Sequence, residues 1–593
     1  MLHGFIAYAV LARAVSDLHL DKVALSRAAS RFAGWDGDPR LGAAPSVTIA
    51  IEAHRTMSGI ARLESRVRRG DAIVTAMPNA LARVDPGLRN LRLALLAMAA
   101  TLLSYGSALA LKHAEHLSLS VVVLAVVLSL SLSRTDHASA RKERLVAIVL
   151  LPIVAVAASE VGTLLAEQAT LGDALYVAAV SGAIWLRRFG RNLARAGTLI
   201  TLPFVAMLIT PAVPGVGQHS VAWAAAAGLI AYLWVAVVHT AAQRAGFSAA
   251  PAPAPHTPSR ARADTAARPA TRRLAASTRM AIQMAAALAA AFAVGRVLFG
   301  VHWSWLVLTA FIVCSGNRGR GDVVYKSALR IAGAATGTIA ATLLARAFAP
   351  GDVASVIVIF SVIGLATWLR SISYAFWAAG VTSVLALLYG YFGQTGTTLL
   401  GQRLEGIAIG AAIAIAASWF ILPIRTTDVV RRRAADALAA LSEVLAAIAA
   451  TPTDLQAPAH RFEHAVDQLD QIAKPLEAHR LLSRPLRTGP HAADAFAAAR
   501  SARASVREIV EATAAEPAAL REPAVAARTA AIQQSVRRAR QAIGGRPLDP
   551  PAVGGHETQA PVSRSKLEHA LAELDAAVTS FTGSAIASLR RPA

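Results

Sequence analysis

The sequence predicts an all-α membrane protein of about twelve transmembrane helices, set as two parallel six-helix repeats with helical cytoplasmic N- and C-terminal regions. Three observations predict it. Of 593 residues, 55% are hydrophobic and only 16% charged, against about 45–50% and about 25% in soluble domains. Apolar runs of spanning length recur between residues 91 and 423. The positive residues of that stretch gather in alternate loops, as they do in membrane proteins.

The charge distribution sharpens the class. The net charge is +23, which in a soluble chain would suggest nucleic acid. A mean hydropathy of +0.48 and an aromatic content of 6% argue against a base-stacking surface, so the expected partner is the lipid bilayer and not nucleic acid. Residues 91–423 hold 25 basic and 10 acidic side chains, whereas 1–90 hold 12 and 8 and 424–593 hold 22 and 18. The ends are charge-mixed like soluble domains; the middle is charge-poor and positive. The one cysteine, Cys314, excludes an internal disulfide and cysteine-rich metal sites.

Residues 1–90 carry short amphipathic stretches and a turn signal at Gly34–Pro39. The apolar start, 1–15, has no basic segment before it, so it reads as part of a small helical cytoplasmic region and not as a secretory signal.

The apolar runs of the first half are 91–111, 117–133, 145–166, 171–186, 196–213 and 220–239. Those of the second are 280–299, 301–316, 327–348, 352–369, 374–392 and 402–423. About 20 residues cross about 30 Å of hydrocarbon as a helix. The runs 117–133, 171–186 and 301–316 are short, and are expected to be thin, tilted or re-entrant. One loop holds Arg134, Arg141, Lys142 and Arg144, a second Arg187, Arg188, Arg191 and Arg195, and a third Arg318, Arg320 and Lys326; the loops between these are nearly bare. Positive loops mark the cytoplasmic side, which places both termini there. Arg296, Arg346 and Arg403 depart from the pattern and fall at outer span ends.

The halves echo each other. Trp185-Leu186-Arg187 with Ala196-Gly197 recurs 183 residues later as Trp368-Leu369-Arg370 with Ala379-Gly380. Six spans per half make the repeats parallel, with a binding path expected at their interface. The first repeat is then 91–245 and the second 277–423, joined by a Pro-, Ala- and Arg-rich cytoplasmic linker, 246–276.

Residues 424–593 read as four or five helices, over 427–450, 455–482, 491–513, 518–543 and 563–589. In the first, Val429, Ala435, Leu438, Leu441, Val444, Leu445 and Ile448 share one apolar face.

No phosphate-binding G-x-x-x-x-G-K-[ST], zinc-binding H-E-x-x-H, C-x-x-C or nucleophile G-x-S-x-G sequence occurs. No catalytic residue, metal or cofactor is implied, and the chain is expected not to be an enzyme. The Gly- and Arg-rich stretch Gly316–Gly321 fits either a phosphate cradle or a positive-inside loop. Charges within spans are functional candidates, because an unpaired one costs several kcal/mol. Arg296 would attract an anion or snorkel to the interface. Glu160 and Glu405 are the proton-coupling candidates, with an interfacial role as the alternative. Arg403 and Glu405, two apart, do not share a helix face. His302 and His239 lie near span ends, where a histidine either titrates near neutrality or packs at the interface. The eleventh span carries Tyr374, Phe376 and Trp377 at one end and Tyr389, Tyr391 and Phe392 at the other: interface belts, or a stacking surface for a planar ligand. Gly333, Gly337 and Ala341 have the small-xxx-small spacing of close helix packing.

The stretch His302-Trp303-Ser304-Trp305 through Leu308-Thr309-Ala310 and Ile312-Val313 resembles the signature of the fusaric acid resistance and aromatic acid exporter family. Arg330-Ile331-Ala332-Gly333 with Gly337-Thr338 is similar to the family's next element, and Arg403-Leu404, Ile409-Gly410, Ala414, Trp419 and Pro423 to a later one. The likeness covers 301–423 well, and reaches 91–245 only through the repeat. It implies a bacterial inner-membrane exporter of aromatic or other hydrophobic organic acids, driven by the proton gradient. A small organic anion would be the substrate, and a homo-oligomer or a periplasmic adaptor would be possible partners. The substrate-binding candidates are Arg296, His302, Trp303, Trp305, Arg330, Trp377 and Arg403. The long N-terminal region and the short inter-half linker depart from the family's usual plan. Two other classes stay open: an anion channel or uniporter built on a related six-span module, and a membrane scaffold recruiting partners through 424–593.

Overall fold

The computed structural model describes residues 85, 88–117, 119–133, 141–209, 221–247, 274–345, 348–391, 397–450, 455–483, 494–544 and 566–581. The predicted N-terminal region, apart from Asp85 and residues 88–90, the linker core 248–273 and Arg134 and Arg346 lie outside the described residues. The chain divides into two compact units, Met1–Leu91 and Arg92–Ala593. In the first, the Asp85 carboxylate accepts hydrogen bonds from the Asn90 and Leu91 backbone amides at 3.1 and 2.8 Å, occupying donors that a helix start leaves free.

All regular structure among the described residues is helical. The membrane region comprises α1 (Arg89–Ala114), α2 (Leu119–Leu132), α3 (Arg141–Glu167), α4 (Ala169–Trp185), α5 (Arg191–Ile209) and α6 (Val221–Arg244). There follow α7 (Ala276–Phe299), α8 (Ser304–Cys314), α9 (Arg320–Ala345), α10 (Val353–Leu369), α11 (Tyr374–Tyr391) and α12 (Thr397–Phe420). These fall on the predicted apolar runs. Eight are long and apolar enough to cross a membrane; Val121–Leu132, Asn192–Leu208, Ser304–Cys314 and Val353–Leu369 are shorter.

The lengths correct the sequence reading in two places. The run at 171–186, expected to be short, belongs to a spanning helix, Ala169–Phe189, because a 3-10 turn at Leu186–Phe189 extends α4. The run at 352–369 is short because it is bounded at its start. The chain turns at Gly351 with φ +78, and the Asp352 carboxylate then accepts from the Ala354 amide at 2.9 Å.

Helices pair in a regular order. α2 packs on α6, α3 on α5 and α6, and α4 on α5. Correspondingly, α8 packs on α12, α9 on α11 and α12, and α10 on α11. Between these groups α4 packs on α7, and Tyr105 of α1 meets Phe360 of α10 edge-on at 4.9 Å. Small residues permit the close approaches. A Cβ at Gly197 would run into Ala183, and one at Gly380 into Ala366. Gly333 and Gly337 abut Ala375, Ala378 and Ala379 of α11.

The C-terminal helices are α13 (Thr426–Ala449), α14 (Gln456–Asp470), α15 (Ala473–Ser483), α16 (Asp494–Ala515), α17 (Pro523–Gly544) and α18 (Lys566–Ser580). Six replace the four or five expected, because 455–482 breaks at Gln471–Ile472. Pro475 has no amide hydrogen, and its ring would clash with the Gln471 carbonyl in a continuous helix. The apolar face of α13 is borne inward: Leu438, Leu441, Val444, Leu445 and Ile448 join Phe462, Phe496, Ile532 and Leu571 in one core.

This bundle is tied to the membrane helices through the loop before α9. Arg318 donates to the Gln471 carbonyl at 2.9 Å and its side-chain oxygen at 2.8 Å, and Lys474 donates to the Ile372 carbonyl at 3.4 Å. The Arg320 amide donates to the Ile424 carbonyl at 3.1 Å, and that of Gly321 to Thr426 Oγ1 at 3.0 Å. The Arg320 and Gly321 amides are thus used in holding the bundle, while those of Arg318 and Gly319 are taken by the Asp322 and Asn317 side chains.

Candidate anion-binding site

Four helices, α8, α9, α11 and α12, carry most of the polar groups that the second half buries. The start of α9 lies against the residues after α12, so the two run antiparallel. Arg330 stands ten residues, about 15 Å, beyond Arg320, and Arg403 six residues beyond Thr397, so both lie within the apolar length of their helices. Arg330 is 2% exposed and Arg403 is 3% exposed. Nε of Arg330 and Nη1 of Arg403 are enclosed without a hydrogen-bond partner. Their helices, α9 and α12, pack on each other.

No buried carboxylate offsets them. Among the described residues the buried acids are Asp85 and Asp322. Asp322 is taken by Lys326 at 2.7 Å and by the Arg318 amide at 3.1 Å. An arginine buried without a counter-charge costs several kcal/mol, so two side by side are not explained by packing.

Aromatic groups line Arg403. Its Cζ lies 5.9 Å from the Trp305 ring centroid, a cation–π contact. Trp305 donates through Nε1 to the Tyr389 hydroxyl at 3.3 Å, and His302 stacks on Trp305, centroids 4.4 Å apart. Because Tyr389 accepts from Trp305, its own hydroxyl hydrogen is directed elsewhere. Thr309 of α8 and Thr382 of α11 are fully buried, and their hydroxyls lack partners. Gly410 makes room here, since a Cβ there would press on Leu306 and Thr309. With Ser327 of α9, the unpartnered groups on these helices include two guanidiniums and three hydroxyls, an arrangement suited to a negatively charged ligand.

Residues 284–417 match the model of the fusaric acid resistance protein-like family. The match supports the resemblance seen in the sequence, and the eight long apolar helices among the described residues suit a multi-pass membrane protein. No curated protein and no solved structure matches the chain. The segment shared with the fusaric acid resistance-like family runs from within α7 to near the end of α12, and so contains Arg330, Arg403, Trp305, His302 and Tyr389.

The other candidates stand apart. Arg296 is ion-paired: it donates to both Asp173 carboxylate oxygens at 2.7 and 2.6 Å and to the Leu165 carbonyl at 3.1 Å. Trp303 covers it, 4.9 Å from Cζ to ring centroid, and packs on Phe292. Both belong to the α4–α7 seam, with Tyr176 and Phe204 behind. Trp377 lies against Arg370 at the start of α11, twelve residues or about 18 Å along the helix from Tyr389. Glu160 and Glu405 are exposed. Glu405 is two residues from Arg403, which turns it to the opposite side of α12.

Sequence reasoning missed Asp173, Thr309 and Thr382 as partners, and left Tyr389 between an interface belt and a stacking surface. Asp173 was the single acid of the fourth span, which was its only signal.

Proposed function

We propose that the protein transports small organic anions across the membrane, with Arg330 and Arg403 holding the negative charge of the substrate. The observation that carries this is the pair of buried guanidiniums without a carboxylate partner. Trp305, His302 and Tyr389 beside Arg403 favour aromatic or other hydrophobic acids, the class that the family resemblance implies, exported across a bacterial inner membrane. Exposed apolar side chains such as Leu95, Val149, Ile339 and Ile357 would meet lipid. A homo-oligomer or a periplasmic adaptor would be a further partner.

In this reading the membrane helices form twelve spans in two parallel repeats, with both termini cytoplasmic. Support comes from the matched helix pairings and from Gly197 on Ala183 and Gly380 on Ala366, each pair offset by 183 residues. The site lies within the second repeat and not between the two. At the same offset Arg330 corresponds to Ala147 and Arg403 to Ser220, so the first repeat has no equivalent charges.

Proton coupling through Glu160 or Glu405 would act at a distance from the arginines, since both acids are exposed. That observation favours, as a second reading, an anion channel or uniporter. The test is flux of radiolabelled benzoate in proteoliposomes holding the full chain. Saturable flux that is accelerated by a pH gradient and abolished by Arg330→Gln or Arg403→Gln supports the transporter. Gradient-independent conductance supports the channel. Flux equal to that of empty vesicles rejects both.

A further inference from the structure

We infer that the preferred ligand carries two anionic groups on one planar ring, one for each buried arginine. This rests on the anion site proposed above and narrows its substrate class.

The argument is one of charge. Arg330 and Arg403 come from different helices, α9 and α12, which pack on each other. Neither has a carboxylate beside it, and each holds an enclosed nitrogen without a partner. One carboxylate engages one guanidinium in the bidentate geometry that strengthens such pairs, and leaves the second as it was. A second carboxylate satisfies the other guanidinium as well.

The two arginines also differ. Arg403 sits on the Trp305 face, with Tyr389 and His302 around it. Arg330 has no aromatic neighbour of that kind among the described residues; its helix carries Ser327, whose hydroxyl is buried and unpartnered. Arg403 is therefore the end where a ring with one acid group docks, and Arg330 the group that distinguishes a second acid. Thr309 and Thr382 supply further unpartnered hydroxyls on α8 and α11.

The experiment measures binding to the purified full chain, by calorimetry in detergent, of benzoate and of the 1,2-, 1,3- and 1,4-benzenedicarboxylates. The isomers act as a ruler for the separation of the two charges. At least one is expected to bind tenfold or more tightly than benzoate. Arg330→Gln is expected to erase that preference, weakening the favoured dicarboxylate at least tenfold more than it weakens benzoate, and Arg403→Gln to weaken all four ligands. Thermal unfolding of each variant checks its fold, and neither is expected to be less stable than the parent, because each removes an unpaired buried charge. Benzoate binding as tightly as every dicarboxylate, with Arg330→Gln weakening all alike, overturns this inference and leaves the anion site standing. Binding of all four ligands unchanged in folded Arg330→Gln and Arg403→Gln overturns the site itself.

Discussion

Asp173 of α4 and Arg296 of α7, 123 residues apart in sequence, close on each other at 2.6 Å, joining the first six membrane helices to the second six. The pair is bidentate, partly shielded and capped by Trp303. Asp173→Asn or Arg296→Gln is expected to cost about 1–2 kcal/mol, between the values for exposed and buried pairs. The exchange Asp173→Arg with Arg296→Asp is expected to recover part of it. Thermal unfolding in detergent across this double-mutant cycle measures the coupling, and additive single effects would show that the pair contributes none.

The glycine contacts predict equal behaviour at two distant places. Gly197→Ala and Gly380→Ala each push a methyl group into an alanine on the neighbouring helix. Each is expected to destabilise by about 1–3 kcal/mol, the range for overpacking. Gly182→Ala, where the space is open, is expected to be neutral. The midpoint of thermal inactivation compares all three.

The tie between Arg318 and Gln471 predicts a change in protease sensitivity. Arg318→Ala removes both hydrogen bonds to α14–α15. Trypsin cleavage after Arg425 is expected to speed several-fold, while the C-terminal core, held by its own apolar contacts, stays resistant. Equal cleavage rates in parent and variant would show that the bundle does not depend on this loop.

Topology is open to cysteine labelling because Cys314 is the only cysteine and is buried. In a Cys314→Ser background, Glu115→Cys between α1 and α2 is expected to react with an impermeant maleimide on intact cells. Glu522→Cys in the C-terminal bundle is expected to react only after permeabilisation. The reverse pattern would invert the orientation derived from the arginine-rich loops.

The positions of the membrane helices were legible because burial in lipid requires long apolar runs, and such runs are local in sequence. The helix ends were less so. The extension of α4 through Leu186–Phe189 uses two arginines that a hydropathy reading excludes. Arg330 and Arg403 could be picked out as charges in apolar surroundings, but their burial on two helices that pack together could not, since it follows from how α9 meets α12. Arg296 illustrates the converse. In sequence it was a cation that would attract an anion or snorkel to the interface; in the structure Asp173 already neutralises it. The acid that distinguishes the two cases lies on another helix in the other half.

The two seams between the helix groups are unlike. Where α4 meets α7 there is a bolt, the Asp173–Arg296 pair. Where α1 meets α10 the corresponding positions are His113 and Val356, which cannot form such a pair, and the contact is Tyr105 on Phe360. A bolt has to break before its edges part, whereas two rings can slide past each other. If the halves rock, the α1–α10 edge is the free-swinging side of the door and the α4–α7 edge the one that must be unlocked.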